Sequence, residues 1–174
     1  MSTTGIRVAT AAALLTLLAL AQNIPPGIGQ GWLPEFNHAS RQLLQLAEAT
    51  PAEKFAWRPA PGIRSVSEVY MHIAAGNYFL VNQAGVKPPA DIKITQTTEK
   101  EVTAKADVIR WLKDSQEWVR QNRAKADLQK KVKLFGNDTD VDGIYLRILV
   151  HNHEHMGQSI AYARTIGVKP PWSE

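Results

Sequence analysis

The sequence contains no cysteine. That absence excludes disulfides, thiolate metal sites, a cysteine nucleophile and a lipid-modified N-terminal cysteine. Long hydrophobic runs are lacking too. The longest uncharged apolar stretch, Val8–Ala21, has about fourteen residues, short of the roughly 20 that a spanning helix needs. Charge of one sign is scarce: 20 Lys and Arg face 16 Asp and Glu, for a formal net charge of +4. Ten of the basic residues fall between Lys100 and Lys133, but Glu99, Glu101, Asp107, Asp114, Glu117 and Asp127 are mixed among them. Such interleaving describes the wet face of a helix, and a nucleic-acid partner is not expected. Strict apolar/polar alternation is missing as well, so no buried strand is predicted.

What is present begins with an export signal. Arg7 precedes the apolar run, which ends in the small-x-small sequence Ala19-Leu20-Ala21. This pattern predicts a signal peptide over residues 1–21, cleaved after Ala21. Twin arginines are missing from it, so export as an unfolded chain is expected, to the periplasm or the medium. No stable membrane span remains after cleavage. Residues 22–34, rich in Pro and Gly, read as a linker, and residues 35–174 as one domain.

Punctuation by Pro and Gly divides that domain into four helical segments. The first is predicted from Glu35 to Glu48, with Leu43, Leu44 and Leu46 as its apolar side. An extended, proline-bounded connector follows, in which Phe55 and Trp57 point the same way and cap one end of the core. Ser65 and Glu68 have the spacing of a capping box, opening a helix that runs to about Gln83. A third helix is predicted to start at Thr98–Glu101, where Thr98 and Glu101 repeat the pattern. Its stripe is Val108, Trp111, Leu112, Ser115, Trp118 and Val119, with both tryptophans read as core. The fourth runs from Thr139 or Asp140 to Arg164, with Gly167 as its stop. The fold class expected is all-α, a four-helix bundle.

Histidine is the other scarce residue, and its placement is uneven. Of five in the chain, three lie within "HNHEHMGQ", residues 151–158. At about 100° per residue, His151 and His155 fall within roughly 40° of each other at the edge of the core-facing arc, while His153 points to the opposite flank. An i, i+4 pair of imidazoles on one helix face is the spacing that helical metal sites use. His72 on the second helix also lies at the margin of an apolar stripe, and Gly76 one turn later leaves room beside it. Three imidazoles from two packed helices would hold a divalent metal and leave a coordination position open. The same residues also suit three separate, hydrogen-bonded and inert core-margin histidines, and residue chemistry alone leaves both readings standing. His38 is expected to be solvated, and Glu154 to be surface.

The segments "FAWRPAPGIRSVSEVYMHIAAGNYF" and "VHNHEHMGQSIAYARTIGVKPPWS" resemble the DinB/YfiT-like family of small metal-binding bundle proteins, from about Phe36 to the C-terminus. The anchors are Arg64-Ser65 through Glu68 to His72, and His151 through His155 to Gly157-Gln158. The resemblance implies a four-helix bundle with a rearranged helix order. It also implies metal ligands at His72, His151 and His155, with Gln158 a candidate to support them from behind. Zinc is expected first, with nickel or iron as alternatives. Many relatives carry Arg where this chain has Met156, and some are thiol-dependent transferases. The function expected is therefore an exported, metal-dependent hydrolase or thiol-dependent transferase acting on an unidentified small molecule. The alternative is a non-catalytic binding protein whose metal is structural. A homodimer is compatible with the sequence without being specified by it.

Overall fold

The computed structural model describes residues 28–173. The signal segment 1–21 and residues 22–27 of the linker lie outside the described residues. Its order starts from helix caps. Ser65 Oγ accepts from the Glu68 amide while the Glu68 carboxylate accepts from the Ser65 amide at 2.7 Å, so two orphan donors at the helix start are satisfied reciprocally. Asp140 caps the last helix, its side chain accepting from the Gly143 amide at 2.9 Å. Gly167, with φ +74°, ends that helix in the left-handed conformation, and the Val168 amide reaches back to the Ala163 carbonyl at 2.7 Å.

The long helices are α1 (Trp32–Ala49), α2 (Val66–Gln83), α4 (Lys105–Arg123) and α5 (Val141–Thr165). A single turn, α3 (Thr98–Glu101), precedes α4, and a hairpin of β1 (Lys131–Leu134) and β2 (Asn137–Asp140) precedes α5. Helix α2 packs on α4 and α5, and α1 packs on the same two. The bundle therefore reads α1–α4–α2–α5 around its square, with the connections α1 to α2 and α4 to α5 crossing diagonals. A simple up-and-down bundle would pair consecutive helices. The rearranged order is what sets α2 beside α5.

Two apolar clusters fill the interior. One gathers Leu43, Phe55, Val69, Tyr70, Met71, Ile73, Val108 and Leu112. The other gathers Phe36, Leu80, Val81, Val119, Ile144, Tyr145 and Ile148. Between them runs a polar band that hydrophobic periodicity does not reveal: Ser40, Asn77, Ser115, Gln116 and Asn152, all fully buried. Asn152 donates to Asn77 at 2.8 Å, Asn77 donates to Ser115 at 3.2 Å, and Gln116 donates to the Ser40 carbonyl at 3.4 Å. Buried amides must find partners, so this band fixes the register of α2 against α5 one residue from His151.

Several expectations change. Helix α1 starts at Trp32, three residues before Glu35, because Trp32 stacks on Phe36 at 4.9 Å and donates to the Tyr145 carbonyl. The third helix is broken: Val102 is extended (φ −95°, ψ 98°) between α3 and α4, and the Thr98 to Glu101 capping box does not form. Thr98 Oγ1 instead accepts from the Thr95 amide at 2.8 Å. The connector is less extended than predicted, holding a 3-10 turn at Ala52–Lys54. Its aromatics do reach the core, Phe55 beside Tyr70 and Trp57 edge-on to Tyr162. His38, expected in solvent, is buried against its own helix and neighbours. The hairpin is short and wet, its strands held by register-matched pairs Lys131–Asp140 and Lys133–Asp138.

Removing one half of the α2 cap should register in stability. Ser65→Ala is expected to cost about 1 kcal/mol, a fall in Tm of about 2–4 °C for a chain of this size, read by thermal circular dichroism.

Candidate metal centre

Helices α2 and α5 bring His72, His151 and His155 to one place. Ring centroids are 4.9 Å apart for His72 and His151, 4.7 Å for His72 and His155, and 4.6 Å for His151 and His155. The triangle is nearly equilateral. One ligand atom from each ring lies within 4.8 Å of the others, so the three could hold a metal ion. His72 Nε2 and His151 Nε2 approach to 3.1 Å. His153, as its helical angle implied, points elsewhere, 3.8 Å from Glu35.

The close approach depends on a missing side chain. A Cβ at Gly76 would stand 2.6 Å from His151 Cε1 and 3.1 Å from its Nδ1. Glycine therefore leaves room beside His72, as the sequence suggested, and the His151 ring occupies it.

The outward nitrogens are held differently. His72 Nδ1 meets Glu99 Oε2 at 3.2 Å, and Glu99 in turn takes the Arg64 guanidinium at 3.0 Å. His155 Nδ1 meets Gln158 Oε1 at 2.8 Å, while Gln158 Nε2 donates to the Tyr162 hydroxyl. A neutral imidazole that donates from Nδ1 presents its Nε2 lone pair inward, which is how partners behind a ring prepare it for a metal. His151 Nδ1 is buried with no hydrogen-bond partner among the described residues.

Glu99 was not singled out from the sequence. It lies in α3, 27 residues from His72, inside a mixed-charge run where no local pattern distinguishes it from Glu101. The Arg64 to His72 motif now acquires physical content. Arg64 holds Glu99, Glu68 caps α2 and also takes Arg58 at 3.0 Å, and His72 follows one turn later. Met156 is partly buried and packs against the apolar cluster around Leu43, Phe55 and Tyr70.

Burial and crowding favour the neutral form of two of the rings. His151 is pushed down to about 3, first by desolvation, then by the neighbouring His155 and His72. His72 is lowered by burial, then by Arg64 and His155, against the pull of Glu99. Neutral imidazoles are what a divalent cation requires. The donor set, the Gly76 cradle and the carboxylate and amide behind two of the rings fit such an ion.

One side of the triangle opens on a cleft of about 550 Å³. Its walls include Phe79, Leu80, Phe135, Arg147 and Glu154. Arg147 and Glu154, two turns apart on α5, pair along one wall at 2.7 Å. Glu154, expected on the surface, is exposed and also borders the histidines.

Gly76→Ala is expected to leave helix content intact yet weaken metal affinity at least about tenfold, because His151 must turn away; competition with a chelating dye measures it. The low value of His151 also sets a pH dependence. An unfolded imidazole titrates near 6.5, so below that pH the unfolded chain binds the proton first. Stability of the metal-free protein should therefore be intact at pH 7 and fall from about pH 6.5 toward pH 3. Urea unfolding at about pH 7 and pH 4.5 measures the drop, which His151→Asn should reduce.

A sequence model of the DinB superfamily matches residues 35–159. The chain also aligns with the crystal structure of a DinB-like protein from Bacillus cereus ATCC 10987, at TM-score 0.71 and 16% identity over 84% of this chain and 97% of that one. A DinB-like protein from Bacillus subtilis aligns at TM-score 0.63 and 17% identity, over 81% of this chain and 96% of that one. No curated protein matches the sequence. At these identities the structural likeness speaks for the fold, while the family match spans most of the domain: the chain belongs to the DinB superfamily.

Proposed function

We propose that the protein is an exported metalloenzyme that binds one divalent ion through His72, His151 and His155 and acts on a small molecule in the adjoining cleft. The observation that carries this reading is the triangle of imidazoles with one side facing a cleft of about 550 Å³. A structural site closes around its ion, whereas a catalytic one keeps a position for water or substrate. The predicted signal over residues 1–21 supports export.

Zinc is the first choice of ion, and nickel or iron suit the same donors. Bound here, the ion would supply Lewis acidity, lowering the pKa of water or of a substrate thiol. The chain's own residues would do the rest. Glu99 and Gln158 fix two rings, and burial shields the third, His151. Glu154 borders the cleft as a carboxylate held below the usual range by its bond to Arg147, and in this reading it accepts the proton that the substrate or water gives up. Hydrolysis is favoured over thiol transfer, because Met156 offers no charge to an anionic thiol cofactor and export removes the chain from the thiol-rich cytoplasm.

A structural role for the metal remains the second reading, favoured by the burial of His151 and the bridge it makes to α2. Elemental analysis of protein purified without an affinity tag should give about one ion per chain, with His72→Ala losing it. Glu99→Ala should lower affinity about 10–100-fold. In the cobalt-substituted protein, azide should alter the visible spectrum, reporting an open position; an unaltered spectrum, with Tm collapsing on chelation, would favour the structural role. Mass spectrometry of the exported chain should find Gln22 first.

A further inference from the structure

The hairpin before α5 contains a conformational anomaly. Leu134 pairs with Asn137, so Phe135 and Gly136 form a two-residue turn, and both have positive φ, 50° and 85°. That turn type asks for Asn, Asp or Gly at its first position, and a large aromatic there is disfavoured in the left-handed region. Core burial does not compensate, since Phe135 is 72% exposed. Its ring lies instead on Phe79 of α2, 6.1 Å between centroids and 19° from parallel, and Phe79 is itself 41% exposed. Both rings wall the cleft that the three histidines border. Local strain held in place without burial points to a use for the side chain.

We infer that Phe79 and Phe135 form an aromatic clamp that selects substrates with a flat apolar body, holding that body at the cleft mouth while a polar head reaches the histidines. The inference rests on the metalloenzyme reading above. Two nearly parallel, exposed rings offer faces to a flat ring, and a cleft of about 550 Å³ is the size that takes a small organic molecule. The hairpin bearing Phe135 is anchored by Val132 and Leu134, which pack against the apolar cluster around Leu80 and Ile144, so its tip is held at the cleft mouth.

Two hydroxamates with one metal-binding head separate the clamp from the metal. On the zinc-loaded protein, benzohydroxamate should bind at least about tenfold more tightly than acetohydroxamate. Phe135→Asn, which suits the turn, should hold or raise Tm while cutting that preference to about twofold or less, and Phe79→Ala should also cut it. A purely structural role for Phe135 would move neither preference nor stability in that way. Equal affinities in the unaltered protein, or a preference that survives both substitutions, overturn the clamp. Failure of zinc uptake, with no acetohydroxamate binding, overturns the metal reading alone. In that event the clamp is decided on the metal-free protein, where benzyl alcohol should shift the ring resonances of Phe79 and Phe135 in a saturable way; no shift overturns it.

Discussion

The site depends on how closely α2 and α5 approach, and that approach is set by one absent methyl group. Gly76 lets the His151 ring lie against the α2 backbone, with its Nε2 3.1 Å from that of His72. Any side chain there would push the rings apart. Glycine inside a helix costs about 1 kcal/mol relative to alanine, and its position opposite an imidazole is the physical reason for bearing that cost.

Around this contact the bundle is arranged to prevent sliding. The diagonal connections make α2 and α5 neighbours, and the Asn152–Asn77–Ser115 chain locks their relative height. Apolar ridges alone tolerate alternative registers, whereas a buried amide displaced by one turn would lose its partners and pay desolvation in full. The polar band and the histidine triangle are adjacent layers of one interface. Fixing the first fixes the second.

Electrostatics divides the work behind the rings. Arg64 and Glu99 place a screened negative charge behind His72, Gln158 offers a neutral amide oxygen to His155, and His151 receives burial without a partner. The three imidazoles are therefore held in three different ways although they are equal in chemistry. On the open side, Arg147 and Glu154 keep one charge of each sign at the wall of an otherwise aromatic cleft.

The sequence by itself determined the four helices, the caps at Ser65 and Asp140, the stop at Gly167, and the three histidines that face inward at the core's edge. These are local properties: helical period, hydroxyl and carboxylate at cap spacing, and left-handed φ at glycine. It misjudged the start of α1 and the unity of the third helix, where long-range contacts of Trp32 and the extended Val102 override local preference. The bundle order was legible through family resemblance, never through periodicity. Only the tertiary structure decided that Glu99 stands behind His72, that His151 fills the gap at Gly76, and that Phe135 leans over the cleft. Each of these joins residues far apart in the chain, and a distance between distant residues is set by packing of the whole interior, which no local pattern encodes.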